Sequence, residues 1–157
     1  MPILERKLAA VRARYRSSDF ERRHYALFGL MCIYGIELLP DNAAECRDNL
    51  AGTFARELAL TADDSLLAAA RAVVEANVVQ GDALAMTDAD GQPIVFPEWA
   101  YLGRGRYQRR DFRFDALTQR AAASGTLFDA FEEHEIFSPV RTYPAMTVDR
   151  LAEEYAP

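Results

Sequence analysis

Residues 25–39 read YALFGLMCIYGIELL, an apolar run of helical length interrupted only by Gly29, Gly35 and Glu37. A helix that is apolar on nearly every face has to be enclosed by other helices or by lipid. At about 15 residues the run is shorter than the roughly 20 needed to span a bilayer, so it reads as a core helix and no membrane is implied. Ser18 and Glu21 precede it with the S-x-x-E spacing of a capping box, and Pro40 follows it. The expected helix therefore starts near Asp19 and runs until that proline stops it.

Other helices are available to enclose it. Leu4, Leu8, Val11 and Tyr15 form one stripe at helical spacing on a first helix from about Ile3 to Tyr15. A third helix is expected from about Ala43, with Asn42 and Glu45 as capping pair and Cys46, Leu50, Phe54 and Leu58 as its core face. Thr61 and Asp64 announce a fourth, whose core positions are Leu66, Leu67, Ala70, Val73, Val74 and Val78, with Gly81 as its terminal cap.

After Gly81 the texture changes. Leu84 to Thr87 and Ile94 to Phe96 flank the turn Asp88-Ala-Asp-Gly91 and predict a β-hairpin. Arg106 to Phe114 predicts a third strand, with Phe112 and Phe114 on one face. Short helices are expected over 116–123 and 127–135, and a last one capped by Thr147 and carrying Val148, Leu151 and Tyr155. The predicted fold is mainly α, within the α+β class. One domain spans residues 1–157, with a bundle of about four helices around an apolar one (1–80), a small antiparallel hairpin or three-strand element (81–115) and short C-terminal helices (116–157).

Composition narrows the cellular class. The chain carries a net charge of −6, which disfavours non-specific binding to nucleic acid or acidic lipid. Charge is segregated, however: residues 1–24 have a balance of +4, 25–100 of −9, 101–115 of +3 and 116–157 of −4. Lys7 is the only lysine among many arginines, and alanine is abundant, a bias that suggests a GC-rich bacterial genome. The first 16 residues lack the continuous apolar core of a secretory signal. Cys32 and Cys46 lie in helical patterns without metal-ligand spacing and read as buried free thiols of a reducing cytoplasm.

The sharpest local signal is YLGRGRYQRRDFRF, residues 101–114. Arg104, Arg106, Arg109, Arg110 and Arg113 can fork onto carboxylates or phosphates. Tyr101, Tyr107, Phe112 and Phe114 supply stacking surface beside them. The bland account of the same residues is a twisted edge strand with a solvated arginine face. Asp88 and Asp90 do not extend to a calcium loop, because Met86 and Pro97 occupy the positions where its acidic ligands belong. Asp129, Glu132, Glu133 and His134 are the remaining metal candidates, but glutamate-histidine spacing fails at Phe131. No phosphate-cradling loop, dinucleotide fingerprint or nucleophile elbow is present, and nothing in the spacing calls for a cofactor.

The leading functional expectation is a cytoplasmic bacterial accessory protein that acts by binding another protein, one bearing an acidic patch. An immunity protein, an adaptor or chaperone, and a small non-catalytic enzyme subunit all fit. The alternative is a small enzyme or anion-binding protein with its pocket between bundle and β element, lined by Trp99, Tyr101 and Tyr107, with Arg106 or Arg109 holding the ligand. A third reading is a single-stranded nucleic-acid binder using the arginine and aromatic segment.

Overall fold

The apolar run divides at Cys32. Its first half ends helix α2 (Asp19–Met31), and its second half becomes a short strand, β1 (Gly35–Glu37). The side chain of Ser18 caps α2 by accepting from the Glu21 amide at 3.2 Å, as its spacing predicts. The expected continuation to Pro40 does not occur. Instead Asn77, 1% exposed, donates through Nδ2 to the carbonyls of Met31 and Ile33 at 3.0 and 2.9 Å. Those oxygens lie where the helix runs out of its own donors, and a side chain from a distant segment satisfies them. Pro40 opens the next helix rather than closing this one, a position where its missing N–H costs nothing.

The computed structural model describes residues 3–116, 118 and 138–154. Helix α1 (Ile3–Arg14) packs on α2, followed beyond β1 by α3 (Pro40–Leu58) and α4 (Ser65–Asn77). The chain then forms β2 (Val78–Asp82), β3 (Thr87–Asp88), β4 (Val95–Gly103), β5 (Arg106–Arg113), β6 (Arg141–Thr142) and a final helix α5 (Val148–Glu154). The architecture is a helical bundle with a small antiparallel sheet, an α+β fold. The expected helices over 116–123 and 127–135 lie outside the described residues, apart from Ala116 and Thr118, which are helical. The metal candidates Asp129, Glu132, Glu133 and His134 lie outside them too. Among the described residues no helix is long and apolar enough to cross a membrane.

The bundle is centred as much on α4 as on α2. Leu66, Leu67, Ala70, Val73, Val74 and Val78, the core positions expected of the fourth helix, are all buried. Ala26, Leu27, Leu30 and Met31 form the buried face of α2, and Leu4 and Leu8 that of α1. On α3 only Phe54 of the expected stripe is fully buried; Cys46, Leu50 and Leu58 are half-exposed. Trp99, Tyr107, Tyr143, Met146 and Leu151 join the same core cluster, so sheet and bundle share one interior.

Among the described residues there are two three-stranded sheets. β1 pairs in parallel with β2, which pairs antiparallel with β3; β4, β5 and β6 form an antiparallel meander. Gly81 therefore lies inside a strand and does not cap α4, which ends at Asn77. A Cβ at residue 81 would fall 2.4 Å from the Thr87 carbonyl oxygen, so only glycine allows β3 to approach. The Asp88–Gly91 turn forms as expected, with the Asp88 carboxylate accepting from the amides of Asp90 and Gln92 at 3.0 and 2.8 Å. The expected strand from Leu84 to Thr87 shrinks to β3, however, because residues 83–86 form a turn. Both cysteines are free. Cys32 is exposed and Cys46 half-exposed, against the expectation of burial, because the chain leaves the helix where Cys32 stands.

Candidate interaction surface

The period-2 rule divides the arginine segment between two environments. Along β5, Tyr107, Arg109 and Asp111 are buried on one face and Arg106 and Arg110 are exposed on the other; Arg113, at the strand's end, is exposed although it shares the parity of Arg109. Arg109, 9% exposed, donates through Nε and Nη2 to the Asp111 carboxylate at 2.6 and 3.1 Å. Its guanidinium also lies 5.5 Å from the Trp99 ring and 4.7 Å from the Tyr143 ring. Arg109 is thus a core residue and not part of an outward ribbon. An arginine surrounded by apolar residues can be buried only with a carboxylate and aromatic faces beside it, and all are supplied here.

Trp99 and Tyr107 are likewise interior. Trp99 Nε1 donates to Asn77 Oδ1 at 2.8 Å, linking the sheet to the ends of α2 and α4. Tyr107 is fully buried, and its hydroxyl donates to the His24 carbonyl at 3.0 Å. Trp99 and Tyr107 thus pack into the core, and Tyr101, half-buried, packs against it. Arg110 pairs with Glu98 directly across the ladder, and Arg113 with Asp115 at 2.5 Å. The Arg113 hydrogen bond holds the Asp115 carboxyl below its ordinary range.

What remains outward is the tip of the β4–β5 hairpin. Arg104 and Arg106 are exposed and have no ion pair among the described residues. Leu102, beside them, is 53% exposed. Gly103, Arg104 and Gly105 all have positive φ, of 80°, 52° and 71°. Such a turn favours Gly, Asn or Asp, so arginine in its middle carries a backbone cost of about 1 kcal/mol. Turn chemistry does not explain that choice.

The tip is clamped onto α2. A Cβ at Gly105 would lie 2.9 Å from His24 Cε1 and 3.3 Å from Phe20 Cζ. Tyr101 Oη accepts from the Gly105 amide at 3.2 Å. The Phe20 ring lies tilted against His24 at 4.3 Å and is itself 53% exposed. Tyr101 meets the Tyr25 ring edge-on at 5.1 Å, and Tyr25 stacks on Tyr15 at 4.3 Å, with Arg14 placed 5.8 Å from the Tyr15 ring. The two basic segments, 1–24 and 101–115, are thereby joined in space through a chain of aromatic rings. Phe20, Leu102 and Arg14 were not singled out by local sequence reasoning; the segregated charge was the one signal pointing to them.

His24 is the titratable centre of this contact. The Tyr107 hydroxyl donates to the His24 carbonyl, so imidazole Nδ1, 2.8 Å from the Tyr107 hydroxyl oxygen, donates to that phenol oxygen. Burial, then the Arg23 charge, lowers the His24 pKa below its ordinary 6.5. The unfolded chain takes up this proton more readily, so stability contributed by neutral His24 is full above about pH 6.5 and declines as pH falls below it. Melting temperature is expected to fall between about pH 7.5 and 5.5, and to fall less in His24→Asn. Equal slopes in the two proteins would remove His24 from the account. Asp64, held low chiefly by its hydrogen bonds from Arg23, acts in a separate window below about pH 4.

A cleft of about 450 Å³ opens beside the tip, lined among others by Phe20, His24, Ser65, Arg104 and Asp149. Arg23, which also lines it, is committed to both oxygens of Asp64 at 2.8 and 2.7 Å. Among the described residues no group of three or more His, Cys, Asp or Glu is placed to hold a metal ion. Comparison with protein-family models, curated proteins and solved structures finds no significant match to this chain.

Proposed function

We propose that this protein is a cytoplasmic bacterial accessory protein that binds an acidic surface of another protein through the β4–β5 hairpin tip and the adjoining face of α1 and α2. The observation that carries the reading is the exposed pair Arg104 and Arg106 beside Leu102 and Phe20. Three neighbouring arginines are each matched by a carboxylate, and these two have no ion pair among the described residues. Exposed apolar side chains among unmatched guanidiniums are the composition of a recognition patch. Opposite charge on the partner speeds association and selects against wrong partners.

The test compares wild type with Arg104→Glu/Arg106→Glu by affinity capture from the native host, followed by reconstitution with the purified captured protein. The expected result is a stoichiometric partner whose affinity falls with salt and drops at least about a hundredfold in the variant. Melting of the variant is expected to stay within a few degrees of wild type, since both side chains are exposed. A partner held equally well by the double variant would overturn the proposal.

The cleft of about 450 Å³ favours a second reading, a binding site for a small anionic ligand between bundle and sheet, with Arg104 at its mouth. Phosphate and carboxylate metabolites would then raise the melting temperature in proportion to their occupancy. A nucleic-acid track is less well supported, because Arg109, Arg110 and Arg113 are already engaged by Asp111, Glu98 and Asp115.

A further inference from the structure

A groove on the acidic side of the molecule has the makings of a second docking surface. It runs between α1 and α3 past the β1 segment, encloses about 730 Å³, and has Leu4, Ile33 and Leu50 among its lining residues. Cys46 and Leu50 are positions of the α3 stripe that the sequence marks as core, yet they face this groove half-exposed. Ile3 at its mouth is 67% exposed. Leu38 and Leu39 are exposed as well, and stand in the chain between the lining residues Glu37 and Asn42. An apolar stripe of core quality left half-covered marks an interface more often than an accident of packing.

The charges say what fits it. Glu5, Glu37 and Glu45 line the groove, and no lysine or arginine does. Glu5 is partly neutralised by Arg56 at 3.0 Å, whereas Glu37 and Glu45 make no ion pair among the described residues. Two of the walls belong to residues 25–100, whose balance is −9. Burial, followed by the Glu37 charge, raises the Cys46 thiol above its ordinary range.

We infer that this groove binds a basic amphipathic helix of a partner protein, whose apolar stripe covers Ile3, Ile33 and Leu50 while its lysines or arginines meet Glu37 and Glu45. A third helix laid between two is the standard way to cover such a channel, with anchors at i, i+3, i+4 and i+7. The surface is distinct from the arginine hairpin and does not rest on its function.

The probe is a labelled Lys/Leu amphipathic peptide of roughly 18 residues, long enough to be helical on binding, read by fluorescence anisotropy on the full chain. Matched Glu/Leu and Lys/Ser peptides separate charge from apolar contact. The expected result is saturable binding of the Lys/Leu peptide alone, weakened about tenfold or more by Glu37→Lys/Glu45→Lys and by Ile3→Asp. Arg104→Glu/Arg106→Glu is expected to leave it unchanged. Thermal melting checks that the groove variants fold, which their exposed positions favour. Absence of saturable binding, equal binding of the Lys/Ser peptide, or indifference to both groove variants would overturn the inference. Self-association of the wild-type chain that the glutamate variants abolish would also overturn it, assigning the groove to a second copy.

Discussion

Leu30→Asp is expected to leave no cooperatively folded protein. Leu30 is 1% exposed and belongs to the core cluster that ties α2 to α4 and to the sheet. Removing its packing costs roughly 2–5 kcal/mol, and enclosing an unpaired carboxylate adds several more. Those two terms together, roughly 5–10 kcal/mol, are comparable with the roughly 5–15 kcal/mol that holds a domain folded. Circular dichroism should show no sigmoidal melt, and the expressed protein should be found in the insoluble fraction. Leu30→Met, nearly volume-conserving, should melt within a few degrees of wild type. A soluble aspartate variant with a sharp transition would mean that α2 has a solvated face after all.

Asp111→Ala is expected to cost about 3–5 kcal/mol, the penalty for leaving a buried guanidinium without its carboxylate. Asp111 is 5% exposed, accepts from Arg109 Nε and Nη2, and also accepts from the Tyr143 hydroxyl at 3.2 Å. At roughly 2–4 °C per kcal/mol for a chain of this size, melting should fall by about 6–20 °C. Arg110→Ala, which breaks the exposed pair with Glu98, should change stability by less than about 1 kcal/mol. Arg109→Glu would place two carboxylates together in the core, so a variant combining it with Arg110→Glu tests folding and not recognition. Similar melting of Asp111→Ala and Arg110→Ala would show that the buried pair is not a structural element.

Neighbouring arginines thus differ in kind, and the difference was only half legible in the sequence. Alternation along a strand predicts that Arg109 and Arg110 point to opposite faces. Which face is buried depends on where β4 and the bundle lie, and no local pattern carries that. Tyr107 and Trp99 illustrate the same limit: aromatic residues beside arginines suit a binding site and a core equally well. Asn77 decided both the end of α2 and the seat of Trp99. Its contacts span 46, 44 and 22 positions in the chain, beyond the reach of any window used to read periodicity.

Local pattern was enough for the number and type of the first four helices, the caps at Ser18 and Thr147, the glycine turn at residues 88–91 and the strand from Arg106. Each depends on interactions within a few residues, where spacing and side-chain type are the cause. The two basic segments were also evident, because charge is additive and needs no geometry. Tertiary structure alone decided that those segments meet through Tyr15, Tyr25 and Tyr101, that Arg104 and Arg106 stay outside while Arg109 is enclosed, and that the YALFGLMCIYGIELL run breaks into helix and strand. A helix and a strand are close in local free energy over so short an apolar stretch, and the balance is tipped by partners that arrive from far along the chain: the Asn77 amide for the helix end and β2 for the strand.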